Sequence, residues 1–318
     1  MNYSNQRNRT EQNGTKWYQL SSTECITWLA VFMTEVAAIV TLNIITIIVF
    51  MRNRSLRKRS MYLVINLAVA DMFSGGFSAV TDFIWVGNDC NFWQYNVPYG
   101  GIWDYVITDM NLFFPVMSLT NITAISLERL HATFFPFKHR VIRKWICGVI
   151  ITVVWVTAEL ITSAGTVWWF STAEYGVSKI SYTWPASVFI CLFVIFVSYA
   201  SIAVKIHCGA HPRHHGGASR ERKLTKTLFI VTLVSLLTCL PYVIFIFLSS
   251  ATKVFINSFS LLYFRILNSL QILLYANSLV NPILYTFRMP EFKRALVSLF
   301  RHSVQQQRQV QVFPLRAL

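Results

Sequence analysis

Seven long apolar segments constrain this chain more than any other feature of its sequence. They lie at roughly 26–50, 61–86, 100–134, 145–169, 182–207, 224–250 and 260–287. Each can supply the ~20 residues with which a helix crosses a ~30 Å hydrocarbon core. The segments do not show the alternating pattern of ~10-residue membrane strands. The sequence therefore predicts an all-α integral membrane protein built as a bundle of seven transmembrane helices.

The composition supports a membrane protein. Hydrophobic residues make up 54% of the chain and charged residues 13%, whereas soluble domains carry about 25% charged residues. Few soluble folds could bury so much apolar surface. The chain is also too short for seven spans and a second folded domain.

The net charge of +15 is distributed by topology. If the amino terminus is outside, the cytoplasmic segments hold 22 of the 28 Lys and Arg residues, as the positive-inside rule requires. The excess of basic residues on the cytoplasmic side orients the chain and contacts anionic membrane lipid. Nucleic-acid binding is therefore not expected. The sequence predicts a multi-pass plasma-membrane protein with an extracellular amino terminus and a cytoplasmic carboxyl terminus.

The amino-terminal region, residues 1–25, reads as a glycosylated extracellular segment. Three acceptor sequons begin at Asn2, Asn8 and Asn13, and such sequons mark the exposed side of a membrane protein. Of the six cysteines, only Cys25 and Cys90 fall on the extracellular side. A disulfide between them is one pairing that the sequence allows without establishing it.

Polar residues in the third segment follow one helical face. At 100° per residue, Asp104, Asn111, Ser118 and Arg129 fall within about 40° of one another. Pro115 lies in the same stripe and should kink the helix. Because polar groups inside a membrane are costly, we expect this stripe to face the interior of the bundle.

Three motifs together carry a family resemblance. Asn281-Pro282-Ile283-Leu284-Tyr285 ends the seventh segment, Glu128-Arg129 ends the third, and Asp71 lies midway along the second. In these positions they make the chain resemble the rhodopsin-like (class A) G-protein-coupled receptors. The resemblance implies a ligand-activated receptor that transduces an extracellular signal to a heterotrimeric G protein and has no enzyme activity.

The resemblance implies an activation switch at the cytoplasmic side. Arg129 would pair with Glu128 and, at rest, with Glu221 at the start of the sixth helix. Tyr199 and Tyr285 match tyrosines that restrain the active state, although both could instead anchor the chain at the membrane interface. Pro241 and Pro282 match the prolines of the sixth and seventh spans.

The resemblance also implies a sodium ion in the middle of the bundle. Its ligands would come from an oxygen-rich set around one carboxylate, namely Asn43, Asp71, Ser118, Asn277, Ser278 and Asn281. The alternative interpretation is that Asp71 is neutral and hydrogen-bonded in the core.

The ligand pocket implied by the resemblance lies between the outer helix ends. Its residues are Asp82, Asp104, Asn111, Tyr242, Phe245, Asn268, Gln271 and Tyr275. Asn111 stands where amine receptors carry an aspartate, and Tyr275 stands where opsins carry the retinal lysine. A peptide or lipid is therefore favoured over a monoamine, and retinal is excluded. The acidic residues near the mouth, Asp109 among them, could attract a basic peptide or calcium, or could form a solvated rim.

Several positions depart from the family pattern. Asp104 occupies the place of the cysteine that usually bonds to the second extracellular loop, and 170–182 contains no cysteine. Leu130, Cys191 and Cys239 replace an aromatic residue, a proline and a tryptophan. The missing disulfide and proline resemble features of the melanocortin, cannabinoid and lysophospholipid receptors.

After the seventh segment, 288–301 predicts a short amphipathic eighth helix and 302–318 a disordered cytoplasmic tail. Phe292, Leu296, Leu299 and Phe300 share one face, and basic residues take the other, as in a helix lying at a membrane surface.

Two alternatives remain open at this point. A seven-helix binding protein without G-protein signalling would explain the altered switch positions. A secondary transporter would require paired repeats with broken helices, which the sequence does not show.

Overall fold

The structure is a computed structural model that describes residues 20–54, 56, 61–92, 102–173, 183–208, 216–251, 261–299 and 301. The predicted glycosylation sites Asn2, Asn8 and Asn13 and the predicted tail 302–318 lie outside these residues. The described part contains seven long helices, as the sequence predicts. They are α1 (Ser22–Arg52), α2 (Met61–Asp89), α3 (Ile102–Phe134), α4 (Lys144–Ala173), α5 (Thr183–Cys208), α6 (Gly216–Ala251) and α7 (Leu261–Arg288).

Length and apolarity suit these helices to a membrane. α1 to α5 are each long and apolar enough to cross a bilayer by themselves, and α6 contains a shorter apolar stretch, Leu233–Ser249. The fold confirms the predicted all-α architecture. Two short helices accompany the bundle: a loop helix (Pro136–Val141) between α3 and α4, and a terminal helix at 290–299.

The seven helices form a closed ring. Each long helix contacts the next one in sequence, and α7 returns to contact α1. α3 touches α2, α4, α5 and α6. In the most apolar stretch of α3, 61% of the residues are buried, whereas in the corresponding stretch of α4 only 22% are buried. α3 is therefore the central helix, and its polar stripe has partners on several sides.

Local sequence signals begin and end the helices. Ser21 caps α1 by accepting a 3.2 Å hydrogen bond from the Glu24 amide, which satisfies one of the free N–H groups of the first turn. α2 ends where Asn91 takes a positive φ of 56° and the Phe92 amide donates to the Gly87 carbonyl at 2.9 Å. Asn tolerates this left-handed conformation better than most residues do. Pro136 opens the loop helix, where its missing N–H costs nothing.

Close helix packing accounts for one glycine. A Cβ on Gly75 in α2 would lie 2.8 Å from the Cγ2 atom of Ile39 in α1. Because real Cβ atoms do not come so close to a branched side chain, a larger residue would push the two helices apart. Gly75 thus sets the distance between α1 and α2.

The amino-terminal ends of α1 and α7 and the carboxyl-terminal end of α2 are linked covalently and electrostatically. Cys25 and Cys90 form a disulfide with a Cα–Cα distance of 5.9 Å. Glu24, beside Cys25, accepts two hydrogen bonds from the Arg265 guanidinium at 2.8 and 3.0 Å. The disulfide thus joins α1 to α2, and the neighbouring ion pair joins α1 to α7.

The terminal helix packs against the bundle through one face. Phe292 is 1% exposed and lies 5.3 Å from Phe50 and 6.2 Å from Tyr285, measured between ring centroids. Leu296 and Leu299 pack beside it. Phe300 lies outside the described residues. The buried face is the one that the sequence predicts to be apolar.

Candidate functional site

Asp71 is the centre of a buried polar cluster in the middle of the bundle. Its Oδ1 atom accepts hydrogen bonds from the hydroxyls of Ser118 at 2.7 Å and Ser278 at 2.9 Å. Its Oδ2 atom accepts one from the Asn281 amide at 2.7 Å. Asp71 is fully buried. One carboxylate thus joins α2, α3 and α7.

Asn43 joins α1 to the same cluster by donating a 3.2 Å hydrogen bond to the Ser278 carbonyl. Three amide oxygens near this level, those of Asn43, Asn277 and Asn281, are buried and have no hydrogen-bond partner among the described residues. Carboxylate, hydroxyl and amide oxygens are the donors that hard cations prefer. The residues brought together here therefore fit the predicted sodium ion chemically.

Arg129 lies near the carboxyl-terminal end of α3 and is only 2% exposed. It forms an ion pair with Glu128, whose Oε2 atom accepts from the guanidinium. The other oxygen of Glu128 lies 2.8 Å from Nε2 of His139 in the loop helix. A buried guanidinium requires such compensation, because it is always charged.

The predicted partnership between Arg129 and Glu221 stays a prediction. Glu221 belongs to α6, but its side chain lies outside what the structure describes. Sequence reasoning missed His139, which approaches Glu128 because the loop helix turns back toward α3. The only sequence signals for this contact are Pro136, which starts the loop helix, and the histidine three residues after it.

The two switch tyrosines are buried in the bundle. Tyr199 is 5% exposed and packs edge-on against Phe229 at 5.3 Å between centroids. Tyr285 is 1% exposed and lies between Phe50 and Phe292. Rings that anchor a chain at the membrane interface keep one polar end in water, so this burial argues against the anchoring alternative.

A second aspartate of α2 forms a polar group nearer the carboxyl-terminal end of that helix. Asp82 accepts a 2.8 Å hydrogen bond from the Gln271 amide on Oδ1, and the Tyr275 hydroxyl lies 3.4 Å from the same oxygen. The Oδ2 atom of Asp82 is buried without a hydrogen-bond partner among the described residues. Three predicted pocket residues therefore meet, and one carboxylate oxygen remains available.

The other predicted pocket residues are only partly connected to this group. Asn111 accepts a 3.3 Å hydrogen bond from Thr81, which lies next to Asp82. Asn268 donates to the Phe264 carbonyl within α7. Phe245 packs on Tyr263 at 5.3 Å between centroids, and Tyr242 contacts the main apolar core. Asp104 belongs to α3, but its side chain lies outside the described part.

A solvated acidic rim is the wrong interpretation for two of the acidic residues. Asp82 is 4% exposed and Asp109 is 3% exposed. Asp109 accepts a 2.9 Å hydrogen bond from Thr166 in α4, so it links two helices and does not line the mouth. The sequence could not show this, because Thr166 is 57 residues away along the chain.

The stripe on α3 makes contacts at three levels of the bundle. Asn111 bonds to Thr81, Ser118 bonds to Asp71, and Arg129 is held by Glu128. The first two bonds cross to α2. The polar residues of α3 therefore lie on its inner side, as the 100° spacing indicates.

The chain matches known proteins along most of its length. A model of the family described as 7 transmembrane receptor (rhodopsin family) matches residues 42–285. The substance-K receptor of Homo sapiens is 24% identical over 312 residues, covering 91% of this chain and 76% of that protein. The substance-P receptor of Homo sapiens is 23% identical over 311 residues, covering 87% and 72%.

Among solved structures, squid rhodopsin has a similar fold. The TM-score is 0.72 at 16% sequence identity, with 91% of this chain and 89% of the rhodopsin chain covered. The range that the family model matches, 42–285, contains Asp71, Arg129 and Asn281. The chain belongs to the rhodopsin family of seven-transmembrane receptors, and it is a G-protein-coupled receptor of the membrane.

Proposed function

We propose that this receptor binds a peptide between the outer ends of its helices and responds by opening its cytoplasmic side to a heterotrimeric G protein. The observation that carries the proposal is the column of polar contacts along α3. It runs from Asn111 through Ser118 to Arg129 and connects to α2 at the first two levels. A ligand that moves α2, α3 or α7 at the top would disturb the same helices at the bottom.

A peptide ligand is supported by the named relatives and by the chemistry of the pocket. The relatives are receptors for substance K and substance P. In this chain, the buried Oδ2 atom of Asp82 is available to a ligand group that donates hydrogen bonds. A lysine or arginine side chain of the peptide would form a charge-assisted bond there. The neutral Asn111 offers a monoamine no such partner at the usual position on α3.

The Asp71 cluster would hold the receptor at rest. Asn43, Asp71, Ser118, Ser278 and the amide oxygens of Asn277 and Asn281 would hold a sodium ion, which would add positive charge beside the buried carboxylate. Asn281 and Tyr285 belong to the same turn of α7, next to Pro282. Movement of this turn would change the hydrogen bond to Asp71 and the packing of Tyr285 together.

At the cytoplasmic end, activation would release Arg129. Glu128 holds the guanidinium while it is itself held by His139. A state in which α6 moves away from α3 would let Arg129 turn toward the G protein. The ligand would favour that state because it would bind that state more tightly than the resting state.

Topology follows the charge distribution. The cytoplasmic side would carry Arg52, Arg54 and the basic residues of the loop helix. The outer side would carry Cys25 and Cys90, because disulfides persist in that compartment.

Nucleotide exchange tests the proposal directly. Membranes containing the receptor would be assayed for guanine-nucleotide exchange on several G proteins, with a panel of basic peptides, lipids and nucleosides. We expect a peptide-driven response that Arg129→Ala abolishes at matched surface density. Arg54→Ala is the control, because Arg54 is an exposed arginine on the same side of the protein.

Two outcomes would contradict the proposal. A response that survives in Arg129→Ala would remove that residue from the switch. A response to lipids or nucleosides, with none to any peptide, would replace the proposed ligand class.

A further inference from the structure

Two carboxylates of neighbouring helices have buried oxygens that lack hydrogen-bond partners. These oxygens are the Oδ2 atom of Asp82 in α2 and the Oε2 atom of Glu35 in α1, and neither has a partner among the described residues. Asp82 is 4% exposed, and Glu35 is partly buried. A buried acceptor costs free energy unless a donor or a cation compensates it. Glu35 has no role in the signalling mechanism proposed above.

The disulfide places the two carboxylates at a similar depth in the bundle. Cys25 and Cys90 join α1 to α2. Glu35 lies ten residues after Cys25, and Asp82 lies eight residues before Cys90. Along their helices the two acids are therefore about 15 Å and 12 Å from the disulfide. The charge of Glu35 acts on Asp82, so two like charges face each other where their repulsion is only weakly screened.

Two side chains of α7 bring neutral oxygens to Asp82. The Gln271 amide donates to Oδ1 of Asp82 at 2.8 Å and to the Tyr275 hydroxyl at 2.7 Å. The Tyr275 hydroxyl lies 3.4 Å from the same carboxylate oxygen. The other polar atom of the Gln271 amide is its oxygen, which can only accept. Carboxylate, hydroxyl and amide oxygens from three helices thus meet in one place.

An apolar cluster covers this polar group on the side of the disulfide. The members of the cluster and the side chains packed on it include Phe32, Val86, Tyr275, Trp28 and Leu29. Phe32 lies about one turn of α1 from Glu35, and Val86 lies about one turn of α2 from Asp82, both toward the disulfide. The rings of Phe32 and Tyr275 are 6.3 Å apart between centroids. Such a cover excludes water and strengthens the attraction between a carboxylate and a cation.

Charge and coordination identify the ion that suits this group. Sodium would leave one of the two negative charges uncompensated, whereas a divalent cation would compensate both. Mg²⁺ demands a near-ideal octahedral shell, but Ca²⁺ accepts about six to eight oxygens in irregular arrangements and takes some of them from water. Side chains from three separate helices suit the less demanding ion. We propose that Glu35 and Asp82, with the oxygens of Gln271 and Tyr275, bind a calcium ion between α1, α2 and α7.

This calcium site is separate from the sodium site around Asp71. Asp71 and Asp82 are eleven residues apart, about 16 Å along α2, and no side chain belongs to both sets. In the topology proposed above, the carboxyl-terminal end of α2 faces the extracellular side, where free calcium is abundant. We expect a dissociation constant on the order of 10⁻⁴ to 10⁻³ M, as in other extracellular calcium sites.

Calcium would also change how the receptor responds to its ligand. The ion and the basic group of the proposed peptide would both use the Oδ2 atom of Asp82, so each would exclude the other. A rise in calcium would therefore lower the potency of a basic peptide. This consequence rests on the proposed function, whereas the binding of the ion does not.

Terbium luminescence tests the site without any peptide. Tb³⁺ replaces Ca²⁺ at oxygen sites and emits light when it is excited through a nearby tyrosine or tryptophan. Tyr275 would contact the ion, and Trp28 packs on the adjoining cluster. The purified receptor in nanodiscs, at constant sodium concentration, would be titrated with Tb³⁺ and then with Ca²⁺ or Mg²⁺. We expect emission that Ca²⁺ reverses at a concentration about tenfold or more below that of Mg²⁺.

Two variants remove one charge each and keep the size of the side chain. We expect Glu35→Gln and Asp82→Asn each to weaken Tb³⁺ and Ca²⁺ binding by about tenfold or more, because the charge of the ligands sets the affinity. If Glu35→Gln does not fold, Glu35→Met replaces it, because methionine also removes the buried polar group.

Two matched controls carry the same substitutions at other acids. Glu24→Gln changes the other glutamate near the amino-terminal end of α1, which is paired with Arg265. Asp109→Asn changes a second buried aspartate, which is bonded to Thr166 in α4. We expect both variants to bind Tb³⁺ and Ca²⁺ like the wild type.

Three results would overturn the proposal. Equal binding by the wild type, Glu35→Gln and Asp82→Asn would show that the two acids do not hold the ion. Loss of binding in Asp71→Asn, with binding retained in the other two variants, would place the ion at the sodium site. Equal competition by Mg²⁺ and Ca²⁺ would show a diffuse attraction to negative charge. Calcium binding that depends on both acids, in a receptor that no peptide activates, would support this site and contradict only the proposed ligand class.

Discussion

Asp71 and Asp82 lie on the same face of α2, yet their environments differ. They are eleven residues apart, which places them within about 20° in azimuth and about 16 Å along the axis. Both are buried. Asp71 receives hydrogen bonds on both oxygens from three side chains. Asp82 is bonded on Oδ1 alone, and its other oxygen has no hydrogen-bond partner among the described residues.

This difference fits the proposed roles, in which Asp71 connects the helices and Asp82 binds the ligand. Because a buried acceptor without a donor costs free energy, the arrangement at Asp82 is stable in the resting protein only if something else compensates. A ligand donor would complete it. Asp71 needs no external donor, so its cluster can transmit a movement between helices without binding the ligand.

The largest effect should follow from removing Asp71. Asp71→Ala would leave the donors of Ser118, Ser278 and Asn281 buried without their acceptor, which should destabilise the receptor by about 2 to 3 kcal/mol. Thermal inactivation of the purified receptor in detergent measures this. Asp71→Asn, which keeps one acceptor oxygen and the size of the side chain, should lose less. If both variants unfold like the wild type, the cluster does not stabilise the bundle.

A smaller and different effect should follow from Asp82→Asn. The volume and the bond to Gln271 are retained, so thermal stability in calcium-free buffer should change little. The charge that we assign to ligand binding is lost, so the potency of a basic peptide should fall about tenfold or more. Concentration–response curves at matched surface density provide the measurement. An equal loss of potency for a neutral analogue of the peptide would mean that Asp82 shapes the pocket without binding the cation.

The smallest effect should come from Glu24→Gln at the outer surface. The ion pair with Arg265 has good bidentate geometry but is exposed, with Arg265 at 51%, so solvent screens it. Its loss should change the thermal stability little. The same thermal assay applies, with Arg265→Gln and the double variant completing a cycle. A large coupling between the two substitutions would show that the amino-terminal end of α1 is held mainly by this pair.

Much of the fold could be predicted from sequence, because a helix that crosses the hydrocarbon core must be long and apolar enough to span it. Seven segments of sufficient length predict seven helices, and 100° periodicity places Asn111, Ser118 and Arg129 on the inner side of α3. The contacts of Asp71 were also predictable, but only from the family resemblance. Periodicity shows which face of a helix is polar and does not show which neighbouring helix supplies the partner.

The remaining parts of the site depend on contacts between distant residues. His139 meets Glu128 because a six-residue loop helix reverses the chain, and no periodic pattern encodes that reversal. The sequence predicts Asp109 among the acidic residues near the mouth, but its hydrogen bond to Thr166 places it between α3 and α4. Glu35 of α1 likewise has a buried oxygen with no hydrogen-bond partner among the described residues, and no pattern in the sequence of α1 indicates that its charge acts on Asp82.

The disulfide between Cys25 and Cys90 also determines how this protein would bear mechanical load. A chain pulled by its amino terminus would pass the force through Cys25 directly to the outer end of α2. The 65 residues of sequence separation between the two cysteines would stay out of the load path, hiding roughly 200 Å of extended chain. A reducing agent would release that length, so α1 and α2 would come out of the membrane as one unit before reduction and as two afterwards.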